Sequence, residues 1–427
     1  MNKLLFKLFI ILCFCQGLFL YIGVSNIEFK FLIIAVGLMV FAILIATSNK
    51  WNRSDKIINY YTFYLFIILI SAFFNDSSIK DTMSYILYSL PAIIVYLFIQ
   101  KIPFSDHQIY KLNKLFFIIM IFQIAASVVK LFLFGTSEAI VGTIHYSAGS
   151  LNTLVPLVSI AMLLGFYLFY NRSRLYLLLM LGFIFMAWTG EKRGIYFYLI
   201  IVFAFSFISY NYLTSKVKFS RILLFFISFL FLSSATLYFG AKYSPTLNPE
   251  NVMGGSFDIN HVYDYAIYYT TQVDQYGNAG GRISGLTSVF NAVTKGELQS
   301  LIIGSGPGEI LGKGNQNFAT YTKYNLSSML GINGWSTALI SLGFTGAILV
   351  VLFYWQIGKY AYSFTKIEKS NYWKAIGFGT FIIVFIFFLD FFTYTRSFYH
   401  SIPLNLGLLY FYGILRRRGR LMMMKVN

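Results

Sequence analysis

Apolar residues in this chain come in long runs rather than in alternation. Runs of about 17 to 22 residues recur along its length, and each suffices to cross ~30 Å of hydrocarbon as a helix rising about 1.5 Å per residue. Buried strands end after about eight residues, so the runs predict helices. They fall at residues 4–24, 29–47, 58–74, 83–100, 115–134, 151–170, 175–188, 195–212, 222–239, 335–355, 375–394 and 399–415, the seventh needing flanking residues to reach across. The pattern predicts an all-α polytopic membrane helix bundle with about 12 transmembrane helices, a single membrane domain over residues 1–427. Between the ninth and tenth runs the chain turns polar, Gly-rich and Tyr-rich, and residues 241–332 are expected to form one large extracytoplasmic loop within that domain.

Composition agrees: 58% of residues are hydrophobic and 11% charged, against about 25% charged in soluble domains. The net charge of +18 would suit nucleic acid, but the basic residues sit between the runs. Lys50, Arg53 and Lys56; Lys101, Lys111 and Lys114; Arg172 and Arg174; and Lys216, Lys218 and Arg221 fall in alternate connections. Lys359, Lys366, Lys369, Lys374 and the tail residues Arg416, Arg417, Arg418, Arg420 and Lys425 continue the series. With the N-terminus cytoplasmic, all lie inside, as the positive-inside rule requires, and an even number of spans leaves both termini cytoplasmic. The short opposite loops hold only Lys80, Lys192, Arg193 and Arg396. The expected partner is therefore membrane lipid and not nucleic acid. Lys3 and Lys7 precede the first run without an A-x-A-like cleavage site, so that run is read as a span. Cys13 and Cys15 both lie within it, which leaves no disulfide framework and no Cys-based metal site.

Candidate chemistry concentrates in and around the large loop, since loops of that length are usually functional or disordered. Residues 260–276 carry Tyr263, Tyr265, Tyr268, Tyr269 and Tyr276 beside His261, Asp264 and Asp274. Such tyrosines suit sugar stacking, and they equally suit an interfacial aromatic belt. Gly280–Ser284 then places Arg282, a planar fork for phosphate oxygens, near the cluster Gly304-Ser305-Gly306-Pro307-Gly308. Consecutive small residues let backbone N–H groups converge into an anion nest, though turns use glycine for positive φ without any ligand. Lys192 and Arg193 occupy the short connection between the seventh and eighth runs, where Arg193 either snorkels or answers an anionic lipid substrate. Gly343 and Gly346, in the tenth run, fit close helix packing. Asp390 and Arg396 frame the end of the eleventh run and His400 opens the twelfth; an ionisable residue within a span is a functional candidate, and Asp390 also lies near enough to the surface to be a salt-bridge partner.

An Arg-Gly at the start of a span, an Arg in a large outer loop, and a Gly-x-Gly ahead of a closing helix resemble, in that order, the O-antigen ligase/polymerase superfamily. The matching stretches are residues 189–194, 281–284, 304–308 and 333–346. The resemblance implies a metal-independent and cofactor-free glycosyltransferase in the bacterial cytoplasmic (inner) membrane, acting on undecaprenyl-diphosphate-linked oligosaccharides at its periplasmic or extracellular face. Ile332-Asn333 stands where the family's ligases show His-Asn, which favours the repeat-unit polymerases. Diphosphate binding then falls to Arg193, Arg282, Lys192, Gly304, Ser305 and Gly306, and substrate binding to Tyr268, Tyr276 and Asn333. The general base is open among His261, Asp264, Glu309 and His400. A chain-length regulator is a possible partner. A lipid-linked oligosaccharide flippase or transporter, and a ligase acting on a lipid or protein acceptor, are the rival expectations.

Overall fold

The structure, a computed structural model, describes residues 2–21, 26–47, 55–135, 142–144, 151–190, 194–214, 227, 234, 237–242, 247–252, 254–272, 281–307, 333–393, 398 and 401–424. Regular structure among these is entirely helical. In chain order the helices are α1 (Asn2–Phe14), α2 (Gln16–Tyr21), α3 (Asn26–Thr47), α4 (Lys56–Phe74), α5 (Ile79–Leu87), α6 (Leu90–Lys101), α7 (Asp106–Phe134) and α8 (Leu151–Gly165), which runs on through a π-helical turn, Phe166–Tyr170. They continue with α9 (Arg174–Thr189), α10 (Gly194–Thr214), α11 (Ile259–Thr271), α12 (Arg282–Thr294), α13 (Leu298–Ile303), α14 (Gly334–Ile367), α15 (Asn371–Thr393) and α16 (Ile402–Met424).

Among the described residues six helices are long and apolar enough to cross a membrane: α4, α7, α8 with its π turn, α10, α14 and α15. The pair α5 and α6, bent by 46°, makes a seventh when counted as one broken span. The chain is a polytopic helical membrane protein. Three further predicted runs correspond to shorter apolar helices, Leu4–Phe14, Leu32–Ala42 and Arg174–Thr189. The first run is interrupted at Cys15, between α1 and α2. The fourth bends where Pro91 enters the first turn of α6 and removes a helical N–H. The last loses its apolar character at Arg416, and most of the run at 222–239 lies outside the described residues.

Local sequence explains where helices start. Ser105 and Gln108 form a reciprocal capping box ahead of α7, while Asp55, Ser78 and Ser173 accept from first-turn amides of α4, α5 and α9. The core pairs α14 with α15, α15 with α8, and α6 with α16, and adds α9 on α8 and α4 on α14. Gly165 lies on the backbone of Ala375 and Gly379 on Met162, which lets α8 and α15 run antiparallel in close contact.

One end of the bundle is held by the arginines that close α16. Arg417 donates to the carbonyls of Ile99 (3.2 Å), Ile102 (2.7 Å) and Phe104 (3.0 Å), capping the C-terminus of α6. Arg418 reaches Asp106 at 2.9 Å and Glu368 at 3.2 Å. Arg416 stacks over Tyr360 and lies 4.0 Å from Asp55, whose carboxylate also accepts from Tyr96. These contacts gather the N-termini of α4 and α7 and the C-termini of α6 and α14 at this arginine end. The C-terminus of α4, the N-terminus of α8 and the C-terminus of α15 point the opposite way, toward the end that carries α11 to α13.

Candidate functional site

The site at the far end is built on a break. Within α14, Gly343 has φ +65° and ψ −166°, a conformation that belongs to glycine, and it splits the helix into limbs 334–342 and 344–367. In a straight helix residues 334 and 354 would lie about 30 Å apart. Phe391 nevertheless touches both: its ring would stand 2.6 Å from a Cβ on Gly334, and its centroid is 6.3 Å from that of Tyr354. Trp335 and Phe344, about 13 Å apart along a straight axis, bring their rings to 6.2 Å. The first limb therefore doubles back beside the second as a re-entrant half-helix.

Breaking a helix orphans carbonyls, and the chain supplies donors for them from distant segments. The amides of Ser305 and Gly306 donate to Ile340 O (2.7 Å) and Ser341 O (3.2 Å), and the Ser71 hydroxyl of α4 donates to Ser341 O at 2.8 Å. Asn75 secures the other side, donating to Gly304 O at 3.2 Å and to Ser71 O at 2.8 Å. Gly304, at φ +76°, lies so close to the Ser341–Leu342 backbone that no side chain fits. These contacts correct the anion-nest reading. The amides of Gly304, Ser305 and Gly306 are engaged by Ser300, Ile340 and Ser341, so the cluster splices a broken helix and does not present its N–H groups to a ligand.

The start of the re-entrant limb is polar, and Asn333, Gly334, Ser336 and Thr337 are all buried. Asn333 caps it, accepting from Ser336 N at 2.9 Å while its amide donates to Phe392 O; Thr337 Oγ1 donates back to Asn333 O at 2.9 Å. Asp390, 2% exposed, precedes Phe391 on α15 and interacts electrostatically with Tyr354. Across the bundle, Asn152 of α8 donates to Gly190 O at 3.5 Å, next to the end of α9. The antiparallel register that pairs Gly165 with Ala375 and Met162 with Gly379 puts Asn152 at about the height of Asp390 along the helix axes. Ser336 Oγ, Ser341 Oγ and Trp188 Nε1 are buried without hydrogen-bond partners. Each such atom costs about 1–3 kcal/mol, and two of the three belong to the re-entrant limb.

The predicted residues distribute unevenly around this region. Asn333 lies at its centre. Arg282 opens α12, half-buried, with Gly281 as N-cap; the Gly281 amide and the Ser284 hydroxyl both donate to Gln272 O, at 2.9 and 3.2 Å. α12 rests on α14 through Phe290 and Phe344, 6.0 Å apart. His261, Asp264 and Tyr268 share one face of α11 at i, i+3 and i+7, opposite the buried Val262. Asp264 and Tyr268 are exposed there, Tyr268 to 59%, while His261 is half-buried, and no described hydrogen bond joins the three to the buried Asn333. Just before α11, the hydroxyl and amide of Ser256 hold the Glu250 carboxyl below its ordinary value. Lys192, Arg193, Tyr276, Glu309 and His400 lie outside the described residues, so the proposed arginine pair has one described member.

Sequence reasoning passed over Asn152 and Lys130. Lys130 is 7% exposed, four residues before the end of α7. A lysine inside a predicted span was a legible signal; Asn152, at the start of one, carried none.

A scan against models of known protein families gives no match, and a search of curated proteins gives none either. The geometry thus defines a class, a polytopic helical membrane protein with a re-entrant half-helix over a buried polar region.

Proposed function

We propose that the protein polymerises undecaprenyl-diphosphate-linked oligosaccharide repeat units into O-antigen or capsule-type polysaccharide at the outer face of a bacterial cytoplasmic membrane. The observation that carries the reading is convergence. Three stretches far apart in sequence, the end of α9 at Gly190, the glycine segment at 304–306 and the re-entrant start at Asn333, all belong to the same end of the bundle, opposite the arginine end. These are the stretches whose order resembles the ligase/polymerase superfamily. The proposed topology has twelve spans with both termini cytoplasmic and 241–332 as the extracytoplasmic loop. It draws support from the arginine end, where Lys366, Lys369, Arg417 and Arg418 gather as the positive-inside rule asks of a cytoplasmic face.

In this mechanism Arg193 and Arg282 grip the diphosphate, and their charge-assisted bonds strengthen as charge builds on the leaving group. Arg282→Ala is expected to abolish polymer at unchanged protein level, with Arg282→Lys restoring little of it because the planar fork is lost. Purified protein in liposomes with lipid-linked repeat units and a chelator should yield a ladder of products on a gel; a wild-type protein that leaves the units unjoined overturns the reading.

One observation favours a second reading, a lipid-linked oligosaccharide transporter: discontinuous helices often form transport sites. Against it, the carbonyls exposed by the break of α14 are already bonded to Ser305, Gly306 and Ser71. The same liposomes separate the two, since a transporter moves repeat units across the bilayer without lengthening them. A ligase differs in its acceptor: loss of a polymerase leaves single repeats on the final acceptor, whereas loss of a ligase leaves the acceptor bare.

A further inference from the structure

Transfer of a sugar from a diphosphate to a hydroxyl needs a group that takes up the hydroxyl proton. Of the residues predicted for that role, Asp264 is exposed and His261 half-buried on α11, with no described hydrogen bond from either side chain to the buried region, and Glu309 and His400 fall outside the described residues. We infer that Asp390 is the proton acceptor, an assignment that rests on the glycosyl-transfer reading above.

Three observations carry it. Asp390 is buried on the end of the bundle away from the arginines, whereas the other buried carboxylates among the described residues, Asp55 and Glu368, belong to the arginine end and are tied to Tyr96 and Arg418. It lies level with the start of the re-entrant limb, because Asn333 bonds to Phe392 O and Gly334 packs on Phe391, the two residues that follow it. It sits within a 23-residue helix pressed against α14 and α8 rather than on a loop, so its carboxylate is held in place. From α14 the Tyr354 hydroxyl interacts with it electrostatically, and the unpartnered hydroxyl of Ser336 belongs to the first turn of the facing limb. Burying a carboxylate in an apolar span is expensive, and such residues mark functional pathways by default.

The step balances as follows. The acceptor sugar O–H bond breaks and its proton passes to the Asp390 carboxylate. The oxygen lone pair forms the bond to the anomeric carbon of the donor. The bond from that carbon to the diphosphate oxygen breaks, and its electron pair leaves with the lipid diphosphate. The carboxyl proton is then released to solvent or to the departing diphosphate.

The test uses full-length protein in liposomes containing lipid-diphosphate-linked repeat units. Asp390→Asn is expected to lower the initial polymerisation rate by about 100-fold or more, the usual weight of a general base, while donor binding, read by protection from thermal unfolding, stays at the wild-type level. Asp390→Ala should be equally slow and should recover part of its rate when formate supplies a carboxylate in place of the missing one. Polymerisation by Asp390→Asn at the wild-type rate overturns the assignment. So does loss of donor binding together with turnover and no rescue by formate, or failure of both variants to fold, each of which makes Asp390 structural. A wild-type protein that forms no ladder fails at the earlier step and rejects the glycosyl-transfer reading instead.

Discussion

Gly304 and Gly343 meet backbone to backbone, each at positive φ, and the contact between them fixes both the break of α14 and the path of the segment that seals it. Alanine at either position is opposed twice, by the left-handed backbone and by atoms that cannot move aside. Gly304→Ala and Gly343→Ala are each expected to cost ~3 kcal/mol or more, seen as a large drop in the melting temperature of detergent-purified protein. Gly135 supplies the control. It also has positive φ, +68°, but nothing lies within 4 Å of where its Cβ would be; Gly135→Ala should cost only the conformational penalty, about 1–3 kcal/mol, and less than either of the other two. Equal effects at all three positions would show that the contact between the two glycines contributes nothing. At this scale the sequence was partly misleading. Gly304 and Gly306 read as an anion nest, and Gly343 as a helix-packing glycine, because residue type reveals a need for small size or positive φ and does not reveal which neighbour imposes it. That neighbour lies 39 residues away for Gly304 and Gly343, and no local pattern encodes the pairing. Asn333 entered only through the family resemblance, as a substrate-binding residue, and its role as the N-cap of the re-entrant limb emerges from the fold.

The elements show the same division between what is local and what is not. Apolar runs announced α4, α7, α8, α10, α14 and α15 directly, since a span is a property of consecutive residues. The doubling back of α14 escaped the pattern, because its two limbs together read as a single run at 335–355. Asn75 and Ser71 show what the fold adds. Through them α4 grips both sides of the break, Gly304 O on one side and Ser341 O on the other. Ser71→Ala removes a buried bond to a carbonyl that Gly306 also serves, and should cost ~1 kcal/mol. Asn75→Ala releases the Gly304 side, with a similar cost. The two losses should be less than additive if both residues hold one splice. Thermal unfolding of the single and double variants in detergent measures the coupling, and strict additivity would separate the two contacts.

Across the whole molecule, charge does two kinds of work at the arginine end. The sequence led us to expect the first, a concentration of Lys and Arg in alternate connections as the positive-inside rule asks. It concealed the second, in which Arg416, Arg417 and Arg418 tie the last helix to α4, α6, α7 and the α14–α15 turn. Those partners come from residues 55 to 368, and only the closed bundle brings them together. Arg417→Ala is accordingly expected to remove ~2 kcal/mol after allowance for solvent at this half-buried site, whereas a solvated topogenic charge would contribute almost nothing to the melting temperature. Topology supplies the complementary test. With Cys13 and Cys15 replaced, a single cysteine at Tyr268, on the exposed face of α11, should react with a membrane-impermeant thiol reagent added to intact cells. A cysteine at Lys369, in the turn between α14 and α15 at the arginine end, should react only after the cells are opened. The two positions lie on opposite sides of α14. If both label from outside, either α14 does not cross the membrane or the arginine end is not cytoplasmic, and the buried polar region around Asn333 and Asp390 would lose the extracytoplasmic access that a lipid-linked sugar requires.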